Sequence, residues 1–373
     1  MRAIRFALIW VLGFARLAKA QTDFFIQDIH VNPDSSVTIT WPAVPQIPYH
    51  VMFADSPTGM WQNFPDGTVT AGSNVSSLGY TDTNSLAVTQ RFYKVRKTRL
   101  PVIMTLVLDV SGSMDPRRGP PPGGDGTGSG GGLYLPGAVT AFINDFDGII
   151  DKVAMVTFST IQQNVFYGGA PAQPTQPFKS AIITAVNSFL YSGTTFSQGG
   201  LTNGLVLENN ATIPTGQNAV KVVVFFTDGH ANIVQDSLIC PPATLLNFGG
   251  QDPPSSGYSL FDPVTGNTVF GCGATQFTSA IDGSMKALNG PNKSADALFR
   301  SVQVANQMRA AGITVYSIGV GTGVNLTFLQ QVANDPNAPG YVPTPYDGEA
   351  VIANDPSQLA AVFQSIASKI LYQ

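Results

Sequence analysis

The chain has 373 residues, 43% of them hydrophobic and only 11% charged, with 38 Gly, 27 Pro and a formal net charge of −4. That length and apolar content allow two domains with real cores. A mildly acidic chain without basic blocks argues against nucleic acid or an anionic membrane surface as partner.

Met1 to Ala20 carries Arg2 and Arg5, an apolar run from Phe6 to Ala15, and then Ala18-Lys19-Ala20, a small-x-small cleavage pattern. It reads as a secretory signal peptide. The alternative, an amino-terminal anchor, is disfavoured because the run is far shorter than the roughly 20 apolar residues a spanning helix needs, and Arg16 interrupts its flank. Cleavage would remove four of the 19 basic residues and none of the 23 acidic ones, leaving a charge of −8. No later segment has the length and apolarity of a membrane span. The expected location is therefore secreted, periplasmic or cell-envelope associated.

From residue 22 to 98 short alternating runs are separated by turn residues. Phe25–Val31, Val37–Trp41, Tyr49–Ala54, Trp61–Phe64, Ser77–Tyr80 and Arg91–Val95 are the candidate strands, a spacing that predicts a small antiparallel β-sandwich. Trp41, Tyr49, Trp61 and Tyr93 could form a stacking platform for sugar. Core packing is the better reading, because in so small a domain the large aromatics supply most of the buried area. Val37-Thr-Ile-Thr-Trp41 and Arg91-Phe-Tyr93 give this stretch a loose resemblance to fibronectin type III-like modules, which implies a spacer or accessory binding module.

A linker over Lys97 to Pro101 leads to the second domain, 99–373. Val102 to Leu108 is a continuous apolar run of the kind buried on both faces of a parallel sheet, and it stops at Asp109. Ser111-Gly112-Ser113 follows, so one carboxylate and two hydroxyls sit at the carboxyl end of a strand, the edge where open α/β sheets bind ligands. Hard oxygen donors with few carboxylates suit Mg²⁺ or Mn²⁺ and leave the ion able to accept another anionic ligand. The bland alternative is a turn whose Asp and Ser cap a helix.

Residues 115–132 are rich in Gly and Pro and lack apolar periodicity, which predicts a disordered or loosely looped segment. Gly123 to Gly132 is not a phosphate loop, for it lacks the Gly-Lys-Ser/Thr ending. Its place beside the ligand edge allows a role in gating partner access. Helix then alternates with strand: helices over Leu135–Phe146, Phe178–Leu190, Ser197–Asn209, Ala295–Ala311 and Gln358–Tyr372, and strands over Lys152–Phe158, Lys221–Asp228 and Ile313–Val320. In the last helix Leu359, Val362, Phe363, Ile366 and Ile370 form one stripe. This alternation predicts a Rossmann-like, doubly wound, mainly parallel α/β sheet, with both carboxylate-ended strands central.

An insertion over 233–291 breaks the alternation and holds both cysteines, Cys240 and Cys272. In an exported protein such a pair predicts a disulfide, worth about 3 to 4 kcal/mol in the chain-entropy model. Zinc is disfavoured, since the histidines are His30, His50 and His230 and no Cys-x-x-Cys is present. His230, next to the candidate site in sequence, reads first as an ordinary loop histidine.

The second apolar run also ends in a carboxylate, Asp228, and Ser192-Gly193-Thr194-Thr195 lies between the two acids. Three separated pieces of chain thus supply Asp109, Ser111, Ser113, a loop Thr and Asp228. In this order they resemble the von Willebrand factor A-type (VWA) domain, over about Pro101 to Gln373, whose metal-ion-dependent adhesion site (MIDAS) uses Asp-x-Ser-x-Ser, a loop Thr and a later Asp. The resemblance implies that Ser111, Ser113 and Thr195 coordinate Mg²⁺ or Mn²⁺ through hydroxyls, with Asp109 and Asp228 acting mainly through bound water. Thr195 is preferred to Thr194 because Leu201 then falls six positions later, as the family's helix usually has it. An acidic residue of a protein partner would fill the open position. Thr314–Gly321, Leu329–Ala333 and Phe363–Ala367 resemble the TadG-like A-type domains of bacterial tight-adherence pilus assembly, which implies adhesion or surface assembly at the cell envelope. The chain departs from that group in carrying an apparent cleavable signal and a β-module.

The expectation is thus a non-enzymatic, cation-dependent binding protein. Two other classes compete with it: an envelope scaffold with a vestigial or structural metal site, and a metal-dependent hydrolase. The hydrolase lacks a second metal cluster, a placed base and a nucleophile with a His partner.

Overall fold

The computed structural model describes residues 26–371 apart from 45–46, 58–60, 73, 84–89, 98, 121–123, 125, 149, 214–217, 239–243 and 250–258. The predicted signal peptide and Cys240 lie outside the described residues. The chain divides into two compact units between Leu100 and Pro101.

In the first unit β1 (Asp28–Val31), β2 (Val37–Pro42) and β5 (Ser77–Asp82) form one antiparallel sheet. Strands β3 (Pro48–Ala54), β4 (Gln62–Thr70) and β6 (Phe92–Lys97) form a second, with β3 central. Period-2 alternation turns Ile39 and Trp41 of one sheet and Tyr49, Val51 and Val95 of the other into a single core. Trp41 and Tyr49 are fully buried with ring centroids 6.0 Å apart, so these two aromatics are core. The fourth strand runs six residues beyond the predicted Phe64. A register shift opposite His50 to Met52 carries the pairing past Pro65, a residue that reads as a strand breaker.

The second unit is α/β. Its six-stranded sheet has the order β17-β16-β10-β7-β8-β9, from β7 (Val102–Asp109), β8 (Lys152–Phe158), β9 (Gln162–Phe166), β10 (Val220–Thr227), β16 (Ile313–Val320) and β17 (Ala350–Ala353). Every pairing is parallel except β8 with the edge strand β9. All eight residues of β7 are buried. Met104, Leu106 and Leu108 face the layer of α1 (Leu135–Asn144), α2 (Lys179–Val186) and α6 (Leu359–Leu371). Val107 faces the layer of α3 (Ser197–Asn210), α4 (Gly290–Ala310) and α5 (Leu326–Ala333). Two apolar faces explain why this strand reads as an unbroken hydrophobic run. Helix α3 is polar in sequence but sits close to the sheet: a Cβ on Gly200 would fall 2.6 Å from the Phe158 ring.

The insertion is folded. Strands β11 (Ile233–Leu238), β12 (Thr244–Gly249) and β13 (Ser259–Phe261) form an antiparallel sheet, and β14 (Gln276–Thr278) pairs with β15 (Met285–Ala287). Val234, Leu238, Leu246, Phe248, Leu260 and Phe277 join the core on the α3 face. Cys272 packs against the core on the α3 face.

Candidate metal centre

Strands β7 and β10 lie side by side, parallel, with Leu108 opposite Phe226. That register brings Asp109 and Thr227 to the same edge, and Thr227 Oγ1 donates to Asp109 Oδ2 at 2.6 Å. The other oxygen, Oδ1, accepts the Ser111 amide at 2.8 Å, the tight turn that Gly112 continues. Ser111 Oγ and Ser113 Oγ are then 3.1 Å apart, and Ser113 Oγ donates to Asp228 Oδ1 at 2.6 Å. Backbone bonds from Ser192 to the Val110 carbonyl and from Gly112 to the Gly193 carbonyl lace the threonine loop to this turn.

Thr195 joins the group from that loop. A Cβ built on Gly229 would stand 3.8 Å from both Ser113 Oγ and Thr195 Oγ1, so the two hydroxyls flank one point. Thr195 is clasped by Asn232, whose Oδ1 accepts the Thr195 amide at 2.8 Å and whose amide donates to the Thr195 carbonyl at 3.1 Å. Thr194 points elsewhere, its hydroxyl bonded to Thr160 Oγ1 at 3.2 Å. All five residues named from sequence therefore meet at the carboxyl edge of the two central strands. His230 is exposed beside them.

The electrostatics are unfavourable as they stand. Asp109 is 0% exposed and Asp228 6%. Burial raises the proton affinity of Asp109, and the Asp228 carboxylate raises it further. The bonds from Ser111 and Thr227 only partly offset this. Asp228 is pushed upward by burial in the same way, against the bonds from Ser113 and Ser129. Among the described residues no Lys, Arg or His forms an ion pair with either acid. A bound cation would invert that balance. The donor set is two carboxylates and three hydroxyls, which fits a hard ion such as Mg²⁺ or Mn²⁺. Among the described residues no group of three or more His, Cys, Asp and Glu could hold a metal, so any ion here depends on the hydroxyls.

Sequence reasoning missed Thr227, Asn232 and Ser129. Thr227 was in plain view as the last residue of an apolar strand, in register with Asp109. Ser129 donates to Asp228 Oδ2 at 2.5 Å from inside the Gly/Pro-rich segment. That segment is not loosely looped where it is described. It contains 3-10 turns at Pro116–Arg118 and Gly131–Leu133, and the Gly126, Gly128 and Gly130 amides are bonded to the Gly119, Arg118 and Ser113 carbonyls. Low hydrophobicity hid a segment held by backbone bonds rather than by apolar burial.

No protein-family model matches the chain, and no curated protein does. Among solved structures, a von Willebrand factor type A protein from Catenulispora acidiphila is 16% identical over 75% of this chain and 45% of its own, with a TM-score of 0.44. The vWF domain of the type V pilus tip protein Mfa5 from Porphyromonas gingivalis is 14% identical over 73% of this chain and 96% of its own, with a TM-score of 0.45. Proximal thread matrix protein 1 from the mussel byssus, with a zinc-occupied MIDAS motif, is 15% identical over 72% of this chain and 45% of its own, with a TM-score of 0.39. This chain thus spans less than half the length of the first and third. Likenesses at this level carry no functional weight, and the α/β class rests on the sheet order itself. Among the described residues no helix is long and apolar enough to cross a membrane.

Proposed function

We propose that this chain is a secreted or envelope-associated binding protein whose α/β unit captures an acidic protein partner through Mg²⁺ or Mn²⁺ held at Asp109, Ser111, Ser113, Thr195 and Asp228. One observation carries the reading: two buried carboxylates face one edge of the sheet among hydroxyls, with no cation of the described chain paired to them. Buried charge left in that state is costly, and an ion brought in from solvent relieves it. When bound, the ion supplies a positive, coordinatively open point for an incoming carboxylate. The chain's own part is to hold the oxygens: Thr227 and the Ser111 amide orient Asp109, the Asn232 clasp fixes Thr195, and Ser113 spans to Asp228. No hydrolytic activity is assigned: among the described residues the hydroxyls at this edge bond to one another and to Asp109 and Asp228, and none is paired with a histidine.

Around this site the reading places a leader over 1–20, an accessory fibronectin type III-like module over 22–98 and a VWA domain over 99–373, with Cys240 bridged to Cys272 in the insertion. The TadG-like pattern near the carboxyl terminus supports an envelope location and an adhesive or assembly role.

Calorimetric titration of Mg²⁺ and Mn²⁺ into the metal-stripped protein tests the proposal. One saturable ion per chain, abolished by the double substitution Ser111→Ala and Ser113→Ala, is expected. No binding of either ion at millimolar concentration would retire the metal-dependent reading in favour of a scaffold.

A further inference from the structure

The Gly/Pro-rich segment meets the candidate site through one side chain. Asp228 has two carboxylate oxygens, and each takes a serine hydroxyl, Ser113 on Oδ1 at 2.6 Å and Ser129 on Oδ2 at 2.5 Å. Ser129 is itself aimed. Its oxygen accepts the Gly131 amide at 3.0 Å, which occupies a lone pair and leaves its single proton for the carboxylate. The backbone on either side is tied to the turn that carries the two motif serines. Gly130 donates to the Ser113 carbonyl at 3.3 Å, and a Cβ on Gly128 would fall 2.3 Å from that same oxygen. Glycine at 128 is thus a condition of close approach. On the far side the Ser129 Cβ lies 3.2 Å from where a Cβ on Gly321, the residue after β16, would stand. Ser129 is wedged between the ends of two strands rather than carried on a free loop.

We infer that Ser129 is a positioning residue of the metal site, clamping Asp228 so that its Oδ1 stays turned toward Ser113, and that Gly128 to Gly131 of the Gly/Pro-rich segment are therefore part of the site. This rests on the metal-binding reading above. A carboxylate gripped on one oxygen alone can rotate away from the ion, and the hydrogen-bond partners of ligating carboxylates typically matter ~10–100-fold to metal affinity. Ser113 belongs to the motif itself; Ser129 comes from sixteen residues farther along the chain, outside the Asp-x-Ser-x-Ser pattern.

The test is calorimetric titration of Mg²⁺ into four metal-stripped proteins: wild type, Ser129→Ala, Ser129→Thr and Gly128→Ala, each also melted without ion. Ser129→Ala should bind Mg²⁺ ~10–100-fold more weakly. Ser129→Thr, which keeps the hydroxyl, should recover most of that affinity. Gly128→Ala, which must push the segment off the Ser113 carbonyl, should reproduce the loss with Ser129 intact. An unchanged Mg²⁺ dissociation constant in Ser129→Ala, with or without a lower melting temperature, would reduce Ser129 to a structural contact and overturn the inference. The metal reading would then still stand on the Ser111 and Ser113 control. Absence of binding in wild type would instead remove both.

Discussion

Buried carboxylates are settled differently in the two units. In the β-module Asp82 is 2% exposed, with the Arg91 guanidinium at 2.7 Å and the Tyr93 hydroxyl at 2.9 Å. Its charge is balanced inside the module, and burial together with the Asp82 bond pushes the Tyr93 phenol upward. In the α/β unit Glu208 of α3 is equally buried. Thr105 donates to its Oε1 at 2.8 Å, Oε2 has no partner, and Lys221 reaches only the Glu208 carbonyl. Burial pushes Glu208 up to about 8, so at neutral pH it is the neutral acid that the core holds. Asp109 and Asp228 share the upward push of burial with Glu208 but face each other as a pair. They are crowded together and hydroxyl-bonded, and among the described residues no cation forms an ion pair with either, the contrast on which the metal-binding proposal rests.

The largest expected effect comes from Glu208. Its folded affinity for a proton exceeds the unfolded value, so its contribution to stability is fully present below about pH 4.5 and is lost as pH rises toward about 8. At about 1.4 kcal/mol per pH unit, the loss over that window is about 3 to 5 kcal/mol. Denaturant unfolding of wild type against Glu208→Gln should give curves that nearly meet at pH 4.5 and separate steadily toward pH 8, the variant being the more stable. Parallel curves would mean that Glu208 ionises freely in the fold, and its contrast with the aspartate pair would disappear.

Arg91 comes next. Replacing it by Met strands the Asp82 carboxylate, and breaking a buried pair from one side costs about 3 kcal/mol or more. The loss should appear in the unfolding of the β-module and leave Mg²⁺ affinity of the α/β unit unchanged. Asp109→Asn should act in the opposite sense. Without ion it removes one of two crowded charges and should stabilise by about 1 to 2 kcal/mol, whereas Asp82→Asn should destabilise. The same variant should gain nothing from Mg²⁺, while wild type at a hundredfold excess over its dissociation constant gains about 2.7 kcal/mol. If Asp109→Asn lowers the melting temperature of the ion-free protein, the aspartate pair is a structural network like that of Asp82.

Much of this arrangement was legible in the residues themselves. Val102–Asp109, Lys152–Phe158 and Ile313–Val320 announced themselves as strands because two buried faces make most of their residues apolar, with few polar ones to blur the pattern. The site was legible because its acids terminate such strands. What escaped was held by other forces. The edge strand β9, Gln162–Phe166, is polar and half-exposed and has no hydrophobic period to read. The insertion's core comes from scattered apolar residues on four short strands and the loops between them, none long enough to show a period. Ser129 and Asn232 act through single hydrogen bonds from loops, and a lone Ser among glycines carries no sign that its hydroxyl reaches a carboxylate 99 residues away.

The smallest effect is the most discriminating, since it separates neighbours in one loop. Thr194 and Thr195 have the same side chain, but the fold gives them different partners. The Thr194 amide and hydroxyl both turn to Thr160 Oγ1, at 3.3 and 3.2 Å. The Thr195 hydroxyl shares a point near Gly229 with Ser113, and its backbone is clasped on both sides by Asn232. Thr194→Ala loses a half-exposed hydroxyl pair and should cost about 0.5 to 1 kcal/mol of stability, with Mg²⁺ affinity kept within about threefold, under 0.7 kcal/mol. Thr195→Ala should weaken Mg²⁺ about tenfold or more, because a hydroxyl facing the ion is replaced by a methyl, while Thr195→Ser should bind as wild type does. Titration of the three variants side by side decides it. A loss confined to Thr194→Ala would mean that the loop turns over when the ion binds, exchanging the Thr160 bond for the metal. The Asn232 clasp would then have to open in the same step, and Asn232→Ala should make Mg²⁺ binding tighter rather than weaker.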